Sequence, residues 1–129
     1  MAAGVSSRMK KSSSSQNMSK TQLDQSNKRM KGFIQVGEGM EPLIYYIIKN
    51  AISAEINNFY IIISGDSKDF KEYLKSLENK LGIYLKFAFQ DFYGQEKPSG
   101  TSDAIFQTMN QYKELMKTRF LVCNCDNLY

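Results

Sequence analysis

The residues whose types and spacing lend themselves to chemistry begin with Ala2-Ala3-Gly4-Val5-Ser6-Ser7-Arg8-Met9. Small side chains let a backbone approach a phosphate closely, and successive N–H groups at a helix start can hold it. The segment is not a P-loop, because no Gly-Lys-Ser/Thr follows, and Ser6 and Met9 stand where a dinucleotide fingerprint needs glycine. A basic stretch surrounds it. Residues 1–31 carry seven Lys/Arg against one acid, Asp24, a net of +6, which leaves −2 for residues 32–129. Such an asymmetry expects an anion. Nucleic acid is disfavoured as that anion, since residues 1–31 hold no aromatic ring on which bases could stack. The absence of histidine removes Ser-His and Cys-His catalysis and imidazole-built zinc sites.

The elements that must position these residues are legible from residue 42 onward. Pro42 suits a first helical position, and Leu43, Ile44, Ile47, Ile48, Ala51 and Ile52 recur at helical spacing. The run Phe59-Tyr60-Ile61-Ile62-Ile63 predicts a strand buried on both faces. Ser67 can cap a helix whose stripe is Phe70, Tyr73, Leu74, Leu77 and Leu81, stopped by Gly82. Ile83, Leu85, Phe87 and Phe89 then alternate at strand period. After a polar loop over 91–99, Ile105, Met109, Tyr112 and Met116 predict a further helix, and Phe120-Leu121-Val122-Cys123 a final buried strand. Cys123 and Cys125, two apart there, read as buried small residues; two cysteines make no disulfide framework. The β-α-β-α-β order argues an α/β fold with a doubly wound, mostly parallel sheet.

At 129 residues the chain is one domain. No apolar run reaches the roughly 18 residues of a membrane span, and the N-terminus has no signal-peptide core, so the expectation is a cytoplasmic protein with no membrane partner. Residues 10–30, with Ser12 to Ser15 consecutive, lack apolar periodicity and read as a mobile loop. Met1-Ala2-Ala3-Gly4 reads as the tail of a strand, and a parallel sheet needs a covering helix after residues 120–123. The expectation is therefore a single but incomplete domain, truncated at both ends. Ligands of open α/β sheets sit beyond the carboxyl ends of the strands. That rule gathers Gly4 to Met9, Ser64 to Asp66, Gln90 to Thr101, and Asp126-Asn127 along one edge.

Taken together, five motifs in order resemble the sugar-phosphate nucleotidylyltransferases, in the NTP-transferase family. Ala2 to Met9 is similar to AAGxGSRM or AAGxSSRM. Lys31-Gly32-Phe33-Ile34-Gln35-Val36 is similar to K-x-L-[LI]-x-V, and Pro42-Leu43-Ile44-Tyr45-Tyr46 to P-L-[IL]-x-Y. Gln90 precedes Lys97-Pro98-Ser99-Gly100-Thr101-Ser102-Asp103-Ala104, similar to K-P-x-G-T-x-x-A. Asn124-Cys125-Asp126-Asn127-Leu128-Tyr129 is similar to N-x-D-[DN]-x-Y.

The resemblance implies a Rossmann-like fold of the nucleotide-diphospho-sugar transferase type. The implied reaction joins the NMP of an NTP to a sugar 1-phosphate, releasing pyrophosphate. Arg8 would hold the leaving pyrophosphate as a fork donor, and Lys31 would neutralise the transferring phosphate; these two are the catalytic candidates. Ala2, Ala3, Gly4, Val5, Ser6, Ser7, Gln90, Gly100 and Thr101 would bind the nucleotide, Gln90 offering donor and acceptor to a base edge. Asp126 would hold the cofactor, Mg²⁺, between phosphates. Asp103 reads as a favourable first-turn acid. Family members supply a second metal-binding Asp and most sugar contacts from positions later than Tyr129, so residues 1–129 alone are expected to be inactive. Two alternatives remain open: a nucleotide-binding regulatory module without turnover, or a transferase acting on phosphocholine or a molybdenum-cofactor precursor.

Overall fold

A computed structural model describes residues 34–63, 68–96 and 98–127. The Gly4–Arg8 segment, Lys31, the Ser-rich stretch, Ser67 and Lys97 lie outside them. The first described element is a small antiparallel hairpin, β1 (Gln35–Val36) and β2 (Glu41–Pro42). Gly37 turns it at φ 71°, and a Cβ there would meet the Tyr46 hydroxyl at 3.3 Å. That hydroxyl donates to Val36 O at 3.3 Å, pinning the turn to the next helix. Nothing in the strand-period pattern announced this hairpin.

Helix α1 (Leu43–Ser53) begins directly after Pro42, which occupies the flanking position at φ −59°, ψ 146° rather than the first helical one. Its apolar stripe buries Ile44 and Ile48. The C-terminus closes with Ile56 N–H donating to Ala51 O and Glu55 N–H to Ile52 O, a wrap that places Glu55 at φ 63°. Strand β3 (Asn58–Ile63) follows, then α2 (Lys68–Leu81), then β4 (Tyr84–Phe89). β3 and β4 pair in parallel, Asn58 opposite Tyr84 through Ile63 opposite Phe89. Residues of β3 alternate between two faces. Ile61 and Ile63 pack with Ile44, Ile48, Phe70, Leu74 and Leu77, whereas Ile62 packs with Ala88 and Ala104 on the other side. Helices α1 and α2 thus cover one face of the parallel pair, and α3 (Thr101–Gln111) the other. Burial on both faces holds for the last three residues of β3; Asn58 to Tyr60 are half-buried or exposed.

Among the described residues, the outer edge of β4 is closed by side chains and not by a third strand. The Leu85 N–H donates to Glu78 Oε1 at 3.0 Å, and the Tyr112 hydroxyl donates to Phe87 O at 2.7 Å. Phe89 N–H donates to Gln111 Oε1 and Phe89 O accepts from Gln111 Nε2. Asp91 makes the same two-way pairing with Gln107 at 2.8 and 3.0 Å. Alternate residues 85, 87, 89 and 91 therefore find partners at the spacing a neighbouring strand would provide.

Two expectations are corrected. The last predicted helix ends at Gln111, and Lys113–Lys117 forms a 3₁₀ helix that buries Leu115 and leaves Met116 exposed. The face of α3 turned to the sheet is Ala104, Gln107 and Thr108, not the predicted apolar stripe, because β4 offers its edge amides there. Second, Phe120-Leu121-Val122-Cys123 forms no strand: Phe120, Leu121 and Val122 are 45, 70 and 40% exposed. Among the described residues the parallel sheet has two strands, β3 and β4, and residues 120–123 belong to neither. Of the two cysteines, Cys125 joins the core with Ile44 and Ile48, whereas Cys123 is half-buried. Among the described residues, no helix is long and apolar enough to cross a membrane.

Candidate functional site

The carboxyl ends of β3 and β4 converge on Gln90. Its N–H donates to Ile63 O at 3.0 Å, extending the parallel ladder by one residue, and its side chain is buried at 6% exposure. The Gln90 Nε2 donates to Asp103 Oδ2 at 2.9 Å and to Gly100 O at 3.4 Å. The end of β4 is thereby tied to the N-terminus of α3. Two sequence-predicted residues ten positions apart, Gln90 and Gly100, meet through a hydrogen bond, and Thr101 opens the helix beside them, exposed.

Gly100 adopts φ 110°, ψ −174°, a combination essentially confined to glycine. Among the described residues, nothing lies within 4 Å of where its Cβ would be. Conformation, not space, demands glycine here, and the open space leaves the backbone approachable. No side chain caps α3 among the described residues. The first N–H groups of a helix have no partner within it and carry the positive end of its dipole, so this corner suits a polar or anionic ligand.

Asp103 and Gln107, residues given no ligand role by the sequence, complete the corner. Asp103 Oδ2 accepts from Gln107 Nε2 at 2.8 Å as well as from Gln90. The signal in the sequence was their i,i+4 spacing on one helix, which places them on one face. Its partner across the fold, the backbone of Asp91, was not visible.

Asp126 lies in the turn over residues 125 to 127 and is exposed, while its neighbour Cys125 is buried against α1. An exposed carboxylate beside an anchored residue fits a magnesium ion, which keeps several waters and takes one or two protein carboxylates together with substrate phosphates. Among the described residues, no three His, Cys, Asp or Glu side chains gather into a complete cation cage. Among the described residues, no hydrogen bond joins Asp126 to Gln90 or Gly100.

Titration shifts fall away from this corner. Burial, then the hydrogen bond to Glu41 Oε2 at 3.1 Å, pushes the Tyr73 phenol well above its usual range, so it stays a donor that ties α2 to β2. Lys86 and Glu114 pair at 2.8 Å, which raises the ammonium and lowers the carboxyl. Tyr60 donates to the same Glu114 oxygen at 3.0 Å, so these groups fasten the 3₁₀ helix to the sheet.

No curated protein and no solved structure matches the chain. A family model, nucleotidyl transferase, matches residues 23–129. That span takes in Lys31, Gln90, Gly100, Thr101 and Asp126, and by it the chain belongs to the nucleotidyl transferase family.

Proposed function

We propose that this chain carries the nucleotide half of an enzyme that transfers NMP from an NTP to a sugar 1-phosphate, on a doubly wound sheet. The observation that carries the reading is the corner where Gln90, at the end of β4, is bonded to Gly100 at the start of α3, within a chain of the nucleotidyl transferase family. A buried amide beside an approachable glycine backbone offers a base edge fixed polar groups, and the helix N-terminus favours the negative charge that follows.

In the reaction proposed, an oxygen of the sugar phosphate attacks the α-phosphorus. That bond forms as the one from the α-phosphorus to the oxygen bridging the β-phosphate breaks, and the electron pair leaves with pyrophosphate. Such transfer needs positioning and charge neutralisation more than covalent help. Arg8 would grip the departing pyrophosphate with parallel N–H donors, and Lys31 would offset charge on the transferring phosphate. Ala2 to Ser7 would let phosphate approach the backbone. Asp126 would hold magnesium, which would supply neutralisation of the phosphate charge.

The test is a pyrophosphate-release assay on the whole enzyme of which this chain is the nucleotide half, since residues 1–129 alone are expected to be inactive, across the four NTPs and a panel of sugar 1-phosphates with Mg²⁺. The expected result is release that depends on both substrates and is lost in Asp126→Ala. NTP binding without release, whatever the phosphorylated acceptor, would overturn the transferase reading in favour of a nucleotide-binding module. Release with phosphocholine but no sugar 1-phosphate would replace the acceptor.

A further inference from the structure

The amide of Gln90 is held in one orientation, and the residue holding it is Asp103. Gln90 Nε2 faces two groups that can only accept, the Asp103 carboxylate at 2.9 Å and the Gly100 carbonyl at 3.4 Å. Turning the amide over would set its oxygen against both, so the acceptors decide the orientation. Asp103 is itself restrained. Its Oδ2 also accepts from Gln107 Nε2 at 2.8 Å, and Gln107, 7% exposed, is fixed by both backbone groups of Asp91. A line of restraint thus runs from the Asp91 backbone through Gln107 and Asp103 to Gln90.

The other end of the amide is uncommitted. Among the described residues, Gln90 Oε1 accepts no hydrogen bond, yet no fully buried side-chain oxygen or nitrogen there lacks a partner. The oxygen is therefore open to a ligand. We infer that Asp103 is a positioning residue that makes Gln90 an acceptor-only reader, presenting Oε1 to an N–H on the base edge of the bound nucleotide. This rests on the reading of Gln90 as the base contact. A freely turning amide can satisfy a donor or an acceptor and so discriminates poorly. A fixed oxygen leaves any base that presents a lone pair at that point facing another lone pair, and specificity is built from such unmet pairings.

The experiment compares wild type with Gln90→Ala, Asp103→Ala, Asp103→Asn and the Gln90→Ala/Asp103→Ala double variant in the full chain. Calorimetry with ATP, GTP, CTP and UTP in Mg²⁺ at fixed salt gives the ratio of weakest to tightest Kd. Gln90→Ala is expected to shrink that ratio about three- to tenfold, the scale of one hydrogen bond. Asp103→Ala is expected to shrink it as far, and the double variant no further, since both act through one contact. Asp103→Asn keeps an acceptor oxygen but loses the charge-assisted bond, and is expected to lose part of the preference. It decides the question alone if Asp103→Ala fails to fold. A loss of affinity uniform across the four NTPs in the Asp103 variants, with the ratio intact, overturns the positioning role while leaving Gln90 as reader. An unchanged ratio in Gln90→Ala overturns Gln90 as reader and the positioning role with it.

Discussion

Gly100 shows how one residue can set a site through its backbone alone, its carbonyl accepting from Gln90. Its φ of 110° is open to glycine, and among the described residues nothing stands near the missing Cβ. Gly100→Ala is expected to cost about 1–3 kcal/mol through backbone strain alone, read as a lower denaturant midpoint with an unchanged slope. It should also weaken NTP binding, because the strain is relieved by moving the start of α3 away from Gln90. Thr101→Ala, at an exposed neighbour, should stay within about 0.5 kcal/mol of wild type in stability. Equal losses from the two substitutions would mean that the glycine conformation is not what shapes the corner. Arg8→Ala addresses the phosphate end of the same proposal: it should weaken NTP binding by about 1.5–3 kcal/mol, the range for hydrogen bonds to charged groups, with calorimetry at fixed salt as the check. The residue types at Gln90 and Gly100 were legible because a motif names them. What Asp103 does was not, since its i,i+4 relation to Gln107 acquires meaning only when Asp91, distant in the chain, arrives to hold Gln107.

Among the elements, the readable ones were those whose apolar period is also their burial pattern. Ile44 and Ile48 in α1, and Phe70, Leu74 and Leu77 in α2, are spaced as they are buried. Helix α3 broke the rule because its task is polar: Gln107 and Gln111 bond the backbone of Asp91 and Phe89, and a search for apolar spacing passes over glutamines. The closing turn of α1 gives a direct test of local strain. Glu55 sits at φ 63°, where a non-glycine residue costs roughly 1–2 kcal/mol. Glu55→Gly removes that cost but loosens the unfolded chain by about 0.4–1 kcal/mol, so a net gain near 0.5–1 kcal/mol is expected, seen as a Tm rise of about 2–4 °C. The clasp of the 3₁₀ helix gives a pH test. Glu114 is depressed by its hydrogen bond from Lys86, so its contribution is whole above the ordinary carboxyl range and lost as pH falls through the lower folded value. The Tm gap between wild type and Glu114→Gln should be constant near neutral pH and close on acidification; a gap that persists at acid pH would place the effect in packing rather than charge.

At the scale of the whole molecule, the edge of β4 is sealed by side chains, and among the described residues a groove runs along the side of β3. This groove, of about 790 Å³, is lined by Ile47, Phe59 and Ile61 on one wall and by Phe120 to Cys125 on the other. The expectation of a final buried strand followed from composition, since Phe120-Leu121-Val122 is as apolar as the core end of β3. Composition reports what a segment can do when paired, and pairing depends on a neighbour the pattern cannot supply. Phe120, Leu121 and Val122 instead expose apolar surface, and a contiguous patch of that kind favours association. Leu121, at 70% exposure, is the sharpest probe. Leu121→Glu should leave thermal stability within about 0.5 kcal/mol of wild type, as expected of a surface position. It should also lower concentration-dependent association, followed by light scattering across a dilution series. The opposite pattern is equally readable: a loss of several kcal/mol, on the scale of burying a charge without a partner, would mean that Leu121 is covered in the folded protein and that the segment completes the sheet.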